Sequence, residues 1–446
     1  MKTFEQMGIQ VPEILLPKNL DVSTWSVVAC DQYTQDREYW ASAEKIVDGK
    51  PSTLNIILPE VYLNDSGKKE RIQKIRSTMK EYLESGIFSE PQKEFVYIER
   101  TTAYGRVRRG LVAALDLETY EWKPFSKALV RATEATIVDR IPPRMEIRRG
   151  APLELPHIML LVNDPEKTLV EGVGSCVSKK NPIYSGSLMQ NSGSIKGWAV
   201  SSAEEIECVR SALEKLSEKN ASSDGSVFLF AVGDGNHSLA TAKAVWDEYK
   251  SENPEKAADK NCPVRYALVE IVNIYDSGLT FEPIHRVVFN GDGQNKDSFS
   301  RKIIEKIAEK LGGTVKNAGS AEELENSVKK SCADFGFVFN ADGKQEFILV
   351  QTKITELAVA SFQPVLDEIL KNDFESASID YIHGAQEVFR LGAKENTLGI
   401  LLPPVAKDSF FATINSHGPL PRKSFSMGEA DEKRFYLECR RLFPDS

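Results

Sequence analysis

The chain has 446 residues, 41% hydrophobic and 27% charged, a balance that excludes the disordered and fibrous classes and leaves room for two or three cores. Its 65 acidic residues outnumber its 56 Lys and Arg, a formal charge of −9, and no basic block stands out. Nucleic-acid binding, which needs clustered cations against phosphates, is therefore not expected as the main task.

No segment reaches the roughly 18 consecutive apolar residues of a membrane span, so no membrane partner is expected. Met1 to Leu20 lacks the basic-then-apolar order of a secretory signal. Six cysteines (Cys30, Cys176, Cys208, Cys262, Cys332 and Cys439) are scattered, with no Cys-x-x-Cys pair. They are read as small apolar groups in a reducing compartment, which makes the expected location cytoplasmic. A small-molecule substrate is the expected partner, and no pattern sets an oligomeric state.

Residues 27–30 form a short apolar run, read as a buried strand that delivers Asp31, Gln32, Tyr33 and Thr34 at its end. Helical spacing follows over 36–47, with Tyr39, Trp40, Ala43, Ile46 and Val47 in phase. It recurs over 68–86, with Ile72, Ile75, Met79, Tyr82 and Leu83 on one face and Gly86 as C-cap. A hairpin is predicted from 95–100 and 107–115 around Tyr104-Gly105, and Arg106 and Arg108 are read as charges protecting an edge strand. Further strands are predicted over 128–130 and 155–162. The Gly/Ser-rich 185–197 is read as either an ordinary surface loop or a lid.

Ile206, Val209, Leu213 and Leu216 mark a helix over 203–219. The apolar run 227–232 suits a strand buried on both faces, and a helix is predicted over 239–249. Strands over 264–274 and 279–289 precede a Gly/Asp/Asn-rich boundary at 290–296. Beyond it come helices over 298–311 and 321–332, a hairpin of 335–340 and 347–351 around Asp342-Gly343, and a helix over 362–370. A strand over 397–402 and a helix over 431–442 complete the chain. The expected fold class is mixed α/β, leaning to α+β, with mixed sheets flanked by helices. Residues 1–289 are expected to carry the site, 290–379 to form a smaller α/β lobe, and 380–446 to return to the site.

The strongest local pattern is the apolar strand followed by Gly233-Asp234-Gly235-Asn236-His237-Ser238 and a helix. Two glycines let the backbone turn sharply, and the helix N-terminus offers N–H groups and partial positive charge to an anion. Asp234 is a candidate metal ligand, and Asn236, His237 and Ser238 are candidate phosphate contacts. Asp234 and Ser238 are equally readable as turn and N-cap formers. A Walker loop is excluded by spacing, and no histidine pair has the i, i+4 spacing of a helical zinc site. His157, after Pro156 at the mouth of an apolar strand, is read as structural.

That strand, the Asp-Gly-x-His turn and the Ala240-Thr241-Ala242 helix start resemble the domain of unknown function family 1015 (DUF1015), whose usual pattern is Asp-Gly-His-His-Arg. Asp31-Gln32-Tyr33 stands where the family has a Pro-Tyr-Asp segment. Gly110-Leu111-Val112-Ala113, Thr133-Glu134-Ala135-Thr136 with Asp139-Arg140, His285-Arg286-Val287-Val288 and Pro421-Arg422-Lys423-Ser424 follow in the family's order. The turn is also similar to that of free-serine kinases of the ParB/sulfiredoxin-like superfamily, where it grips phosphates and a separate glutamate acts on the serine hydroxyl.

The resemblance implies a ParB/sulfiredoxin-like element around the turn. It also implies phosphoryl transfer to the hydroxyl of free serine or a similar amino acid, with pyrophosphate, ADP or ATP as donor. On that implication Glu134 takes the hydroxyl proton, Asp234 holds Mg²⁺, and His237 completes the catalytic set. Gly235, Asn236, Ser238, Thr136, Arg140, His285, Arg286, Arg422, Lys423 and Ser424 would bind substrate or phosphate, the cations among them opposing the charge that develops. Asn236 and Ser238 stand where the family has histidine and arginine, which removes a bidentate clamp. Two rivals follow: a phosphate- or nucleotide-binding regulatory protein without turnover, and a nucleotide or pyrophosphate hydrolase.

Overall fold

The apolar runs of the first 280 residues become neighbours in one mixed sheet. The computed structural model describes residues 1–291 and 296–443. The chain forms two units, one of Met1–Leu279 with Gly428–Ser446 and one of Thr280–Met427. In the first unit the strands run in the order Tyr184–Ser187, Ser194–Val200, Phe95–Thr101, Val107–Asp116, Tyr266–Asn273, Ile158–Val162, Phe230–Asp234, Val130–Ala132 and Tyr120–Glu121. Pairing is antiparallel except where Ile158–Val162 meets Tyr266–Asn273 and where Val130–Ala132 meets Phe230–Asp234 and Tyr120–Glu121.

Both faces of this sheet are covered, which is why its strands read as near-continuous apolar runs. Alternation sorts the side chains: Phe95 and Tyr97 enter one core with the helices Ala203–Lys219 and Asn236–Glu252. Val96 and Ile98 enter the other, with the helices Arg37–Val47 and Lys68–Glu84. Asp36 caps the first of these, accepting from Tyr39 N at 2.9 Å. The mixed α/β fold class is as expected from the sequence. No described helix is long and apolar enough to cross a membrane.

Several local expectations are corrected. Residues 431–442 are not helical: after a short turn at Ala430–Glu432 the chain is extended, bridging Val28 to Phe435 and Leu15 to Cys439. A helix would leave one face to water, whereas 432–440 are buried throughout. Residues 27–30 therefore make an isolated bridge to this tail and not a sheet strand. Arg108 does not guard an edge, because Val107–Asp116 lies inside the sheet and the Arg108 side chain is buried against Glu270 at 3.3 Å. The Gly/Ser-rich stretch is a hairpin of Tyr184–Ser187 and Ser194–Val200.

The second unit has an antiparallel sheet in the order Thr314–Asn317, Lys344–Gln351, Phe335–Ala341, Thr397–Leu401, His285–Phe289 and Ser378–Ile382. Asp342 and Gly343 form its two-residue turn with φ of 50° and 77°, the paired left-handed geometry that Asp-Gly supplies. The helix Ala358–Asp373 packs on one face, with Phe362 and Leu366 fully buried. Residues 290–379 fall inside this unit. Of the expected 380–446 segment, residues to Met427 stay in it and Gly428 onward joins the first unit.

His285 lies buried in this second sheet, where its Nδ1 accepts from Leu402 N at 3.1 Å. Burial pushes its imidazole down to about 4. Unfolding restores an ordinary value near about 6.5, so the unfolded chain binds the proton first as pH falls. Stability from this residue is complete above about pH 6.5 and is lost between there and pH 4, on the order of 3 kcal/mol. A His285→Gln variant is expected to flatten the acid limb of a stability-versus-pH curve measured by urea unfolding; an unchanged slope would contradict this.

Candidate functional site

The strand Phe230–Asp234 sits between Val130–Ala132 and Ile158–Val162, and its register against Ile158–Val162 slips between Val232 and Asp234. That bulge at Gly233 ends regular pairing beside the turn. Gly235 follows with φ of +79°, and a Cβ there would lie 3.1 Å from Ile158 Cγ1 and 3.2 Å from its Cα. Only glycine meets both demands without strain. Gly235→Ala is expected to cost about 1–2 kcal/mol of stability, read by urea unfolding.

The helix begins at Asn236, earlier than the predicted 239, and runs 17 residues with no side chain capping its N-terminus. An uncapped first turn keeps the partial positive charge of the helix at the glycine turn. The segment after Val130–Ala132 is pinned against it. Thr133 N donates to Asn236 Oδ1 at 3.3 Å, and Asn236 Nδ2 donates to Thr133 Oγ1 at 3.3 Å. Thr133 Oγ1 donates to Val232 O at 2.6 Å. Four residues on, Ile137 N donates to His237 Nε2 at 3.3 Å, which fixes that nitrogen as an acceptor.

Glu134 and Thr136 therefore lie on a short stretch anchored to the turn at both ends. Both are half-buried, and the Thr136 hydroxyl is buried without a protein partner among the described residues. Arg140 is exposed, and its carbonyl accepts from Arg144 Nη1 at 2.7 Å.

Asp234 Oδ1 accepts from Gly235 N at 3.1 Å, and its Oδ2 faces Lys433 Nζ at 3.5 Å. Among the described residues no three His, Cys, Asp or Glu side chains gather to hold a metal ion. One carboxylate beside an ammonium does not make a resident Mg²⁺ site, since a divalent ion held by protein needs more oxygen ligands and less positive charge.

Three residues here were not singled out for function in the sequence. Lys433, nearly buried, brings a cation to the turn. His157, read as structural, has Nε2 2.6 Å from Ser238 Oγ and Nδ1 3.0 Å from the Tyr436 hydroxyl. The available signal was Pro156-His157 at the mouth of an apolar strand; Lys433 and Tyr436 had none, because the tail was read as a helix.

The remaining candidates belong to the second unit. His285 is neutral near pH 7 and supplies no positive charge, contrary to expectation, because burial disfavours its protonated form. Arg286 is fully buried, with Nε donating to Gln363 Oε1 at 2.8 Å, Nη1 bonded to Ile284 O, and the guanidinium 4.7 Å from the Tyr381 ring centre. Arg422 and Lys423 are exposed, and the buried Ser424 hydroxyl donates to Pro421 O.

Residues 14–369 match the family described as "Protein of unknown function (DUF1015)". The chain is a member of the DUF1015 family. The resemblance read from its motifs is thus borne out, and the match takes in Glu134, the 234–238 turn and His285-Arg286 but ends before Arg422. No curated protein matches the chain. Similar solved structures include a free serine kinase variant in complex with AMP, at 9% identity, 75% of this chain, 92% of that chain and a TM-score of 0.37. A conserved hypothetical protein from Pyrococcus furiosus gives 10% identity, 74% and 90% coverage and 0.32. C-terminally truncated SbnI from Staphylococcus aureus gives 9%, 71%, 82% and 0.33. These likenesses to the DUF1015 chain are distant.

Proposed function

We propose that this DUF1015 protein is a small-molecule kinase that transfers a phosphoryl group from pyrophosphate, ADP or ATP to the hydroxyl of free serine or a similar amino acid. The observation that carries the reading is the uncapped N-terminus of the helix Asn236–Glu252, reached through Gly235, with the Glu134 segment pinned to it at Thr133 and Ile137. The helix N–H groups receive the donor's phosphate oxygens, and Lys433 adds positive charge beside them.

Glu134 takes the proton of the acceptor hydroxyl as the new P–O bond forms. The bond to the leaving phosphate breaks, and its electron pair departs with that group. Anchoring of the backbone at Thr133 and Ile137 limits where the half-buried Glu134 side chain reaches, and positioning is most of what phosphoryl transfer asks of a protein. No step is assigned to a metal held by Asp234.

A second reading, binding without turnover, is favoured by one observation. The side chains standing where the family has histidine and arginine are committed within the protein, Asn236 to Thr133 and Ser238 to His157. Incubation of the pure protein with serine, MgCl₂ and each donor separates the readings. Phosphoserine supports the kinase, orthophosphate alone a hydrolase, and donor binding without product a regulatory protein.

A further inference from the structure

Beside Ser238 the first unit has a cavity of about 140 Å³, half open to solvent. Of the residues assigned to phosphoryl transfer, Ser238 alone lines it. Most of its wall is apolar, from Ile57, Leu58, Met79, Ile147, Leu153 and Leu442. A space of about 150 Å³ admits benzene, so this one takes a compact apolar body of about six carbons.

The charges in its wall do not cancel. Arg144 and Glu60 form a closed pair: Nε and Nη2 donate to the two carboxylate oxygens at 2.7 and 2.6 Å, and Nη1 donates to Arg140 O at 2.7 Å. Glu154, by contrast, is shared by two guanidiniums. Its Oε2 lies 2.6 Å from Arg148 Nη2, and its Oε1 accepts from Arg440 Nε at 2.8 Å and from Leu268 N at 2.9 Å. Burial opposes the charge on Glu154, but the two cations outweigh it and hold the carboxyl below its ordinary range. One ionised carboxylate against two guanidiniums leaves a positive charge unmatched, where an unmatched charge is costly.

That charge falls to Arg148. Arg440 spends every nitrogen, Nε and Nη2 on Glu154, Nη2 again on Tyr266 O at 2.8 Å, and Nη1 on Pro263 O at 3.0 Å. Arg148, which lines the cavity, spends only Nη2, on Glu154 and on Tyr266 O at 3.4 Å. Among the described residues its buried Nε has no partner and its Nη1 makes no hydrogen bond. The other polar lining groups are bonded to one another. His157 Nε2 lies 2.6 Å from Ser238 Oγ and Nδ1 3.0 Å from the Tyr436 hydroxyl, which also meets Cys30 N at 3.2 Å. Whichever way those protons run, Arg148 is the lining cation with donors to spare. An ammonium finds no such opening, because Glu60 and Glu154 are both committed.

We propose that the cavity binds a small organic acid, a compact apolar body of about six carbons against these walls with one carboxylate accepting from the Arg148 guanidinium. The proposal does not rest on phosphoryl transfer and is tested without a phosphoryl donor. Full-length protein is titrated with cyclohexanecarboxylate, its neutral amide, cyclohexylamine and acetate, with binding followed by ligand-observed NMR and calorimetry. Cyclohexanecarboxylate is expected to bind, and the amide and the amine at least about tenfold more weakly, for want of the charge-assisted bond. Acetate, which has the charge but little apolar surface to bury, should also fall at least about tenfold. Arg148→Met should weaken the acid about tenfold or more, and Glu154 keeps Arg440, so the change strands no carboxylate. Leu58→Trp fills the space without touching an ion pair and should abolish binding; a melting curve checks that each variant folds. The proposal is overturned if folded wild-type protein does not bind cyclohexanecarboxylate or binds the amide or the amine as tightly. Unchanged affinity for the acid in folded Arg148→Met, or in folded Leu58→Trp, overturns it equally.

Discussion

Glu134→Gln is expected to cut phosphoserine formation at least about a hundredfold while leaving donor affinity within about a factor of two. The amide has the shape of the carboxylate but cannot accept the hydroxyl proton, so the loss should fall on kcat. The anchors at Thr133 and Ile137 bond through backbone N–H groups, so the substitution leaves them intact. In the proposed reading donor binding rests on the helix terminus and the turn, which the side chain does not build. Glu134→Asp should recover part of the rate, because it restores a base one methylene short. If KM for the donor rises in step with the fall in kcat, Glu134 is a positioning residue; a full rate in Glu134→Gln removes it from the mechanism altogether.

How far the site could be read in advance depended on how local its cause was. The turn, its two glycines and the following helix are set by neighbours within a few positions, and the sequence pattern located them. The helix over 203–219 matches to the residue on the spacing of Ile206, Val209, Leu213 and Leu216, and the structure adds a capping box of Ser202 and Glu205 that fixes its start. The partners of Arg108, His157 and Lys433 lie at Glu270, Ser238 and Asp234, far along the chain, and no local pattern reports them. The tail was misread because charges interleave its apolar residues. Phe435, Leu437 and Cys439 in fact alternate with period two, and the intervening charges Arg434, Glu438 and Arg440 are buried and paired. A buried charge looks like a solvated one until its partner is known.

That pairing makes Arg434 the position where a single change should cost most. Its guanidinium is buried between Glu438, bonded through Nη2, and Glu270 at 3.3 Å, and both carboxylates are fully buried. Glu270 keeps Arg108 at 3.3 Å if Arg434 is removed, but among the described residues Glu438 keeps only the Tyr184 hydroxyl as a donor. Arg434→Met therefore strands a carboxylate in the core and is expected to cost about 3–5 kcal/mol. Against a total stability of about 5–15 kcal/mol, that lowers the urea midpoint by a large fraction. Most of the cost is the stranded charge rather than the lost attraction. Adding Glu438→Gln, which removes that charge and still accepts from Tyr184, should restore at least half of the loss. A double variant no more stable than Arg434→Met would place the cost in packing of the guanidinium stem instead.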